Sequence, residues 1–396
     1  MQTTDSASIT ADWGFPTRVL VGPGRLSETP ELCREYGFTR PLVVTDPGVA
    51  GLAFTNGLME ALNGAGIEAS LFTDVEADPK AATVEAGVAA FTRGRHDAVI
   101  GLGGGSALDA AKAVALMAGQ TRPIWDFEDR GDNWKRADAN AIAPVIAIPT
   151  TAGTGSEVGR ASVITDAQAR RKVIVYHPRM LPVAAILDPE VTLGLPRHLT
   201  AATGMDAVTH CVEAWSAPGF HPMAEGIALA GVRQAMDALP RACRDGADVD
   251  ARTRMLAVAT MGTTALQKGL GAVHAIAHPV GTLCHTHHGL TNAVLLPYVL
   301  MFNRAALEPR IEPLAEAFGL PGQGPGHAFD AVVQRVLDLR TELGMPHTLA
   351  EIGVDASHAE EVGRLGEIDP TAGGNPIPVR ARELSDIFLR AVEGRL

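Results

Sequence analysis

Short apolar runs alternate with helix-like segments through the first half of the chain. Four of these runs have the length and composition of buried strands: 40–45, 69–72, 98–101 and 144–148. Helical spacing of apolar residues separates them, at 57–65, 80–93 and 107–118. Strands that alternate with helices of this length predict a parallel sheet covered by helices on both faces.

The second half of the chain, from about Leu195, loses the strand-like runs and becomes helical. Apolar residues follow helical periodicity in four long segments: 201–215, 222–238, 251–267 and 328–343. We therefore expect an α/β domain with a parallel sheet at 1–192 and an all-α domain at 193–396. The polar stretch 128–140 is expected to form a surface loop.

A glycine-rich turn joins the run at 98–101 to the helix that follows it. Gly103, Gly104 and Gly105 precede Ser106, where the helix is expected to begin. Backbone can approach a phosphate closely where Cβ atoms are absent, and the free N–H groups of a helix N-terminus attract anions. Because Ser106 replaces the third glycine of the GxGxxG fingerprint, the alternative is a tight turn without a ligand.

A second loop with small hydroxyl side chains follows the run at 144–148. Thr150, Thr151 and Thr154 alternate there with glycines, which leaves room and donors for a phosphate or a ribose. Open α/β sheets place nucleotides at such loops, after the carboxyl ends of their strands. Asp46 ends an earlier strand, where a carboxylate would accept the ribose hydroxyls of NAD and repel the 2′-phosphate of NADP. A plain loop, and a turn-forming Asp before Pro47, remain the alternatives.

Candidate metal ligands cluster in the second half. Asp206 and His210 lie four residues apart on a predicted helix and therefore share a face. Five histidines then fall within fifteen residues: His274, His278, His285, His287 and His288. One carboxylate with several imidazoles suits divalent iron, zinc, cobalt, nickel or manganese. Spacing groups His274 with His278 on one helix, which Pro279 is expected to limit, and does not decide which histidines bind.

The charge balance excludes several classes of function. The chain carries 33 Lys and Arg against 45 Asp and Glu, a net charge of −12, which argues against nucleic-acid binding. No run reaches the roughly 18–20 apolar residues that a membrane span needs. The 4 cysteines form no CxxC pair and favour a reducing compartment. Since the amino terminus lacks a signal-peptide pattern, we expect a cytoplasmic protein that binds neither nucleic acid nor membrane.

These motifs resemble those of the iron-containing (group III) alcohol dehydrogenase family. The resemblance runs in order along nearly the whole chain, in VVTDPGV (43–49), GLGGGSALDAAKA (101–113), IPTTAGTGSE (148–157), LDPEVT (187–192), AATGMDAVTHCVEA (201–214), GLGAVHAIAHPVG (269–281) and HHG (287–289). It implies a Rossmann-like domain, a helical domain, an active site in the cleft between them, and a homodimer.

The resemblance also implies the site residues. The metal ligands would be Asp206, His210, His274 and His288, with Fe²⁺ as first choice and Zn²⁺ as second. His278 would lie beside the nicotinamide as a catalytic proton relay, or as a neutral imidazole packed against the ring. With Gly103 and Asp109 of the glycine motif added, the NAD contacts would be Asp46, Gly103, Gly104, Gly105, Ser106, Asp109, Thr150, Thr151, Thr154 and Lys172.

The implied activity is hydride transfer between NAD(H) and a small primary alcohol or its aldehyde. The alternatives are a lyase or metal-free reductase on the same fold, in the manner of dehydroquinate synthase or maleylacetate reductase, and a non-enzymatic metal or nucleotide sensor. Three departures from the family fall near the site, at Asp78–Pro79, at Arg160, and at 265–268. Arg160 or Lys268 could favour a substrate with an anionic tail, the alternatives being a surface charge or a contact to cofactor phosphate.

Overall fold

The computed structural model describes residues 17–320, 322 and 324–396. Within the first half of this range the chain forms eight strands and five α-helices. In chain order they are β1 (Arg18–Val21), α1 (Thr29–Tyr36), β2 (Pro41–Val44), α2 (Pro47–Ala50), α3 (Ala53–Gly64), β3 (Ser70–Phe72), α4 (Ala81–Gly94), β4 (Ala98–Gly103), α5 (Gly105–Met117), β5 (Val145–Pro149), β6 (Ala161–Asp166), β7 (Arg171–Tyr176) and β8 (Ala184–Leu187).

Six of these strands pair in parallel in the order β1-β8-β5-β4-β2-β3. The chain steps outward from β2 to β3, returns to β4, and then continues in the opposite direction to β5. The direction of winding therefore reverses between β2 and β4. Loops that follow strands on the two sides of such a reversal leave a crevice between them, which is where open α/β sheets bind ligands.

Strands β6 and β7 form a separate antiparallel hairpin, in which Ala161 pairs with Tyr176 and Asp166 with Arg171. The sequence pattern did not predict this hairpin, nor the sheet strands β1 and β8. The expected surface loop at 128–140 is irregular, with short 3-10 turns at Asn133–Arg136 and Ala139–Ala141. Its first residue is an exception, because the half-buried Glu128 side chain pairs with Arg171 on β7 at 2.8 Å.

The second half of the described chain is helical, as expected. Its helices are α6 (Arg197–Ser216), α7 (Pro222–Arg244), α8 (Val249–Ala265), α9 (Ala272–Cys284), α10 (His288–Phe302), α11 (Arg304–Leu307), α12 (Glu312–Ala317), α13 (Pro325–Leu343), α14 (Ala359–Glu367) and α15 (Ala381–Glu393). The predicted fold class, a parallel α/β part followed by an all-α part, is thereby confirmed. The change of architecture falls between Leu187 and Arg197, and the exact domain boundary at 192/193 stays a prediction.

Helix α6 lies at the centre of the helical part, and its residues from Met205 to Trp215 are buried. Buried side chains of α7, α8, α9 and α10 pack with it in one apolar core. Two smaller apolar clusters fill the two faces of the parallel sheet. A helix that is buried all round can hold polar side chains only where partners meet them, which directs attention to the polar residues of α6.

Helix α9 continues through Pro279, although we expected this residue to limit it. The helix runs on to Cys284 and ends where His285 adopts a left-handed conformation, with φ of 55°. Because proline has no N–H, the carbonyl of Ala275 loses its usual partner in the helix. Gly366 of α14 packs against that carbonyl, so closely that a Cβ atom on Gly366 would lie 2.7 Å from the oxygen.

Within the described residues, no single helix combines the length and the hydropathy needed to cross a bilayer. Only α10 together with the segment Arg304–Arg310, joined at a bend of 70°, meets both criteria.

The contact between α14 and α9 predicts that Gly366→Ala destabilises the fold. The added methyl group would meet the Ala275 carbonyl, which cannot rotate away, and overpacking of this kind costs about 1–3 kcal/mol. Gly226→Ala in α7 is the matched control, because nothing lies within 4 Å of its Cβ position and alanine favours a helix over glycine. Urea unfolding followed by circular dichroism measures both, and equal stabilities of the two variants would contradict the prediction.

Candidate metal and cofactor site

A cavity of about 1500 Å³ lies between the carboxyl edge of the sheet and the helical part. Loops that follow β2, β4 and β5 form one wall, and side chains of α6, α8 and α9 form the other. All the predicted site residues line this cavity except Gly103, which ends β4 immediately before the lining residue Gly104. The structure therefore brings both predicted sets, the cofactor contacts and the metal ligands, to one place.

The two predicted phosphate loops lie against each other. A Cβ atom on Gly105 would lie 2.5 Å from the methyl carbon of Thr154, and one on Gly104 would lie 3.4 Å from that of Thr151. Helix α5 begins here and has no side-chain cap. Its first N–H groups are therefore available to an anion, supported by the positive end of the helix dipole.

Asp46 stands at the reversal point of the sheet. Its Oδ1 caps α2 by accepting from the amides of Gly48 and Val49, at 2.9 and 3.1 Å. Its Oδ2 faces Gly103, where a Cβ atom would lie 3.2 Å away. With φ of 150°, Gly103 adopts a backbone conformation that favours glycine, and a Cβ there would also lie 2.6 Å from Ala107. One oxygen of Asp46 thus shapes the turn while the other lies beside Gly103, and the residue itself lines the cavity.

Lys172 on β7 carries an unexpected ion pair. Its Nζ lies 2.6 Å from Oδ1 of Asp78, the residue that stands where the family often has asparagine. The amide of Asp78 approaches Ser106 Oγ at 3.4 Å, and the left-handed φ of 54° at Asp78 is one that Asp tolerates better than most residues. The pair places Lys172 and Ser106, two predicted cofactor contacts, at the same end of the cavity.

Asp109 has a bracing role that the sequence did not reveal. Its Oδ1 accepts from Ser156 Oγ at 2.5 Å and its Oδ2 from the amide of Val163 at 2.9 Å. The buried Lys112 adds an ion pair at 3.4 Å and donates to the carbonyl of Ala161. Asp109 therefore fastens α5 to the second loop and to the β6–β7 hairpin, and its predicted contact with the cofactor stays a prediction.

The four predicted metal ligands converge from three helices. Asp206 and His210 lie on α6, His274 on α9, and His288 begins α10. The Nε2 atoms of the three histidines lie 3.8, 3.8 and 3.6 Å from Oδ1 of Asp206. Rings of His210 and His274 stack with centroids 4.7 Å apart.

Two glycines allow this convergence. A Cβ atom on Gly289 would lie 2.4 Å from the carbonyl oxygen of Ala202 and 3.1 Å from Cβ of Asp206. A Cβ atom on Gly262 would lie 3.0 Å from Cβ of His210. Helices α8 and α10 can therefore approach α6 at the level of the ligands only because these positions carry no side chain, which explains the glycine of the HHG motif.

The donor set fits a divalent metal. A tetrahedral ion with bonds of about 2.1 Å holds its ligand atoms about 3.4 Å apart. Each of the three Nε2 atoms lies 3.6–3.8 Å from Asp206 Oδ1, and the ligand atoms of Asp206, His210 and His274 all lie within 4.8 Å of one another. Burial lowers the pKa of His210 and lowers that of His288 well below its usual value, which favours the neutral imidazole that metal ligation requires. Burial also opposes the charge of Asp206, but the surrounding imidazoles outweigh it and lower the pKa of this carboxyl.

Two buried residues that the sequence reasoning missed support the ligands. Glu213 Oε2 lies 2.5 Å from Nδ1 of His274, and Oε1 accepts from the amide of Val273 at 2.8 Å. Burial lowers the pKa of His274, but Glu213 and Asp206 outweigh it and raise it to about 9. Asn292 donates to Asp206 Oδ1 at 2.7 Å and lies 3.1 Å from Nε2 of His274. Helical spacing could have found both, since Glu213 is three residues after His210 and Asn292 four after His288.

His278 is held apart from the ligand cluster. Its Nδ1 lies 2.7 Å from Oδ2 of Asp369, whose Oδ1 accepts from the amide and the hydroxyl of Thr371 at 2.9 and 2.5 Å. The rings of His278 and His288 stack with centroids 5.5 Å apart. His278 lines the cavity, so its Nε2 is the nitrogen left for other partners. Asp369 could not have been found from the sequence, because it lies 91 residues from its partner.

Lys268 does not serve the substrate role that we considered for it. Its Nζ donates to Glu225 Oε1 at 2.6 Å and to the carbonyl of Trp215 at 2.9 Å, and its side chain is 1% exposed. Arg310 shares the same two acceptors. Lys268 also lies outside the set of cavity-lining residues, so of the two cations only Arg160 remains in the wall.

Two family models match the chain. The model for iron-containing alcohol dehydrogenase matches residues 16–189, and the model for the carboxy-terminal part of the Fe-containing alcohol dehydrogenase family matches residues 200–392. The chain belongs to the iron-containing alcohol dehydrogenase family. It is therefore an oxidoreductase that acts on alcohols, and the family implies NAD(H) and a divalent metal.

Similar proteins cover nearly the whole chain. 4-Hydroxybutyrate dehydrogenase from Cupriavidus necator is 37% identical over 372 residues, which are 91% of this chain and 94% of the relative. A crystal structure of 1,3-propanediol oxidoreductase has a TM-score of 0.90 at 31% identity and covers 96% of this chain and 100% of its own. Sulfoacetaldehyde reductase from Bifidobacterium kashiwanohense, in complex with NAD⁺, has a TM-score of 0.86 at 25% identity and covers 97% and 99%.

The contact between Glu213 and His274 predicts a loss of metal affinity in Glu213→Gln. The neutral amide no longer stabilises the partial positive charge that a bound cation induces on the His274 ring, and loss of such a partner weakens binding by about 10- to 100-fold. Metal retained after dialysis against graded chelator, measured by atomic emission, reports this without any assay of activity. Glu316→Gln, an exposed change on α12, is the control, and equal retention by the two variants would contradict the prediction.

Proposed function

We propose that the protein interconverts small primary alcohols and their aldehydes, using NAD(H) and one divalent metal held by Asp206, His210, His274 and His288. The observation that carries the proposal is the convergence of three imidazole Nε2 atoms to within 3.8 Å of Asp206 Oδ1, in the wall of a cavity that also contains both phosphate loops. The family resemblance makes Fe²⁺ the first choice. Zn²⁺ is the second choice, because the same donors accept both metals.

When bound, a divalent metal supplies Lewis acidity, which lowers the pKa of an alcohol hydroxyl and polarises an aldehyde carbonyl. The chain supplies the alignment. Glu213 fixes the side chain of His274, and Asn292 fixes that of Asp206, before substrate arrives. Little reorganisation of these ligands is therefore needed during the reaction. The buried walls of α6 and α9 exclude water from the reacting atoms and from the hydride that the nicotinamide carries.

His278 is proposed to move the alcohol proton. Its Nδ1 is occupied by Asp369, which leaves Nε2 to accept a proton on the cavity side. Asp369 in turn is held by Thr371, so the ring is fixed in one orientation. A histidine oriented by a carboxylate is suited to general acid–base catalysis.

NAD(H) rather than NADP(H) is proposed as the cofactor. The α5 N-terminus and the facing threonine loop provide donors for the diphosphate. Asp46 places a carboxylate at the sheet reversal, where it would accept ribose hydroxyls and repel a 2′-phosphate. Thr150 and Lys172, two further proposed contacts, also line the cavity.

We further propose that the protein is a homodimer and that it is located in the cytoplasm, a reducing compartment. All four cysteines are free, and three of them are buried, which suits a chain that forms no disulfide bonds. The homodimer follows from the family resemblance and is tested by the mass of the purified protein in solution.

Removal of the metal is expected to abolish alcohol oxidation. Protein dialysed anaerobically against a chelator should retain less than about 1% of its rate, because no side chain in the site replaces a Lewis acid. Added Fe²⁺ or Zn²⁺ should restore net formation of NADH, measured by its absorbance. Full activity of metal-free protein would contradict the proposal, and turnover of substrate without net NADH would favour the lyase alternative.

Replacement of Asp46 is expected to relax cofactor choice. In Asp46→Asn the cap on α2 is preserved, because Asn caps helices as well as Asp does, while the charge that repels a 2′-phosphate is removed. We expect the ratio of kcat/KM for NADP⁺ to that for NAD⁺ to rise about 10- to 100-fold. Asp74→Asn, an exposed change outside the cavity, is the matched control. An unchanged kcat/KM ratio in Asp46→Asn would show that Asp46 does not discriminate between the two cofactors at the ribose.

A further inference from the structure

The threonine loop, residues 150–157, is wedged between two helices of the helical part. A Cβ atom on Gly153 would lie 2.8 Å from Cβ of Thr203 on α6. A Cβ atom on Gly155 would lie 2.3 Å from the carbonyl oxygen of Ala259 on α8, and its φ of 61° also favours glycine. The loop backbone can therefore lie this close to α6 and α8 only because both positions lack a side chain.

Two hydroxyl groups of α8 bind the same loop. Thr263 Oγ1 donates to the carbonyl of Thr154 at 2.5 Å, and Thr260 Oγ1 donates to Oε1 of the buried Glu157 at 2.8 Å. Thr154 is also the residue whose methyl carbon would lie 2.5 Å from a Cβ atom on Gly105. The bond from Thr263 therefore joins the helical part to the residue that packs against the glycine turn.

The two helices that hold the loop also surround His210. Gly262, the neighbour of Thr263 on α8, is the position whose Cβ atom would lie 3.0 Å from Cβ of His210. Nδ1 of His210 is buried and has no hydrogen-bond partner among the described residues. Burial lowers the pKa of His210, whereas Asp206 and the nearby backbone of Gly153 oppose this shift. The loop backbone thus lies beside the nitrogen that remains free when Nε2 binds a metal, and metal-bound histidines usually donate that second N–H to a fixed acceptor.

The threonine loop therefore contacts both proposed binding sites. On one side, Thr151 and Thr154 lie against Gly104 and Gly105 of the glycine turn, where the diphosphate is proposed to bind. On the other side, the loop lies against α6 and α8 beside His210. A ligand that fixes the loop in this position also fixes the surroundings of His210, and the reverse holds equally, because coupling between two binding sites is reciprocal.

We propose that Thr263 is a positioning residue, which holds the threonine loop against His210 so that the dinucleotide and the metal strengthen each other's binding. This inference rests on the proposed function and adds a coupling between its two ligands. The hydroxyl of Thr263 acts through the carbonyl of Thr154 and need not touch either ligand.

Calorimetric titration with ADP-ribose measures the coupling without turnover. This probe carries the diphosphate but lacks the nicotinamide, so contacts between that ring and the metal do not contribute. We expect the Kd of wild-type protein for ADP-ribose to be about 5- to 150-fold lower when the protein is loaded with Zn²⁺ than when it is metal-free. By reciprocity, saturating ADP-ribose should strengthen retention of Zn²⁺ against a chelator by the same factor.

Variants of Thr263 show whether its hydroxyl carries the coupling. Thr263→Val keeps the shape of the side chain and removes the donor to Thr154, so the coupling factor should fall about 5- to 10-fold, or to one if it is smaller, as expected for the loss of one hydrogen bond. Thr263→Ser retains the hydroxyl and should restore the factor, which a general loss of stability would not explain. Attraction between the metal and the diphosphate is the same in all variants, so it cancels in this comparison.

Thr253→Val is the matched control, because the hydroxyl of Thr253 donates to the carbonyl of Val249 within α8 and lies outside the cavity. Its coupling factor should equal that of the wild type. Thr260→Val removes the other bond from α8 to the loop and should lower the factor in the same direction, which provides a second variant if Thr263→Val does not fold.

The outcomes separate this proposal from the proposed function. A wild-type factor of one, or equal factors in the wild type and Thr263→Val, would overturn the positioning role and leave alcohol oxidation standing. A factor that falls in Thr263→Val and returns in Thr263→Ser supports the role of Thr263 even if the protein oxidises no alcohol.

Discussion

A carboxylate buried at the centre of a helical core requires compensation, and the helical part of this protein is arranged around that requirement. Asp206 is 2% exposed, and an ionised group there would be costly without partners. Three imidazoles and the amide of Asn292 surround it, contributed by α6, α9 and α10. Their approach in turn requires glycine at 262 and 289, where any Cβ atom would meet α6. A divalent cation at this position would be held by the carboxylate and the three imidazoles together.

The parallel sheet supplies the second half of the site by its winding. Because β2 and β4 lie on either side of the reversal, Asp46 and the glycine turn meet at the same crevice that opens onto α6 and α9. The β6–β7 hairpin then closes one side, and Asp109 and Lys112 fasten it to α5. One short network therefore couples the glycine turn to β6, which pairs with the strand that carries Lys172. The proposed cofactor and metal sites are thus formed by a single set of packed elements.

The sequence was informative wherever a signal is local. Period and spacing predicted both halves of the fold, and the family resemblance supplied a ligand set that the structure brings together. Short strands such as β1 and β8 were missed, because the sequence pattern of a four-residue strand without flanking turn signals does not differ from that of a loop segment. Pro279 was misjudged because the freed carbonyl of Ala275 packs against Gly366 of α14, a tertiary contact that the sequence does not show. Asp369 and the ion pair between Asp78 and Lys172 join residues about 90 apart in the chain, so only the folded structure reveals them.

The central claim is that Asp206, His210, His274 and His288 hold one divalent metal, and anomalous diffraction tests it most directly. Data collected on either side of the iron and zinc absorption edges, from crystals of protein purified anaerobically, locate the ion and name the element. The account predicts one peak per chain, about 2.0–2.2 Å from a carboxylate oxygen of Asp206 and from Nε2 of each histidine. A peak bound by His278 in place of one of these residues, or a metal-replete crystal without a peak in the cluster, would contradict it.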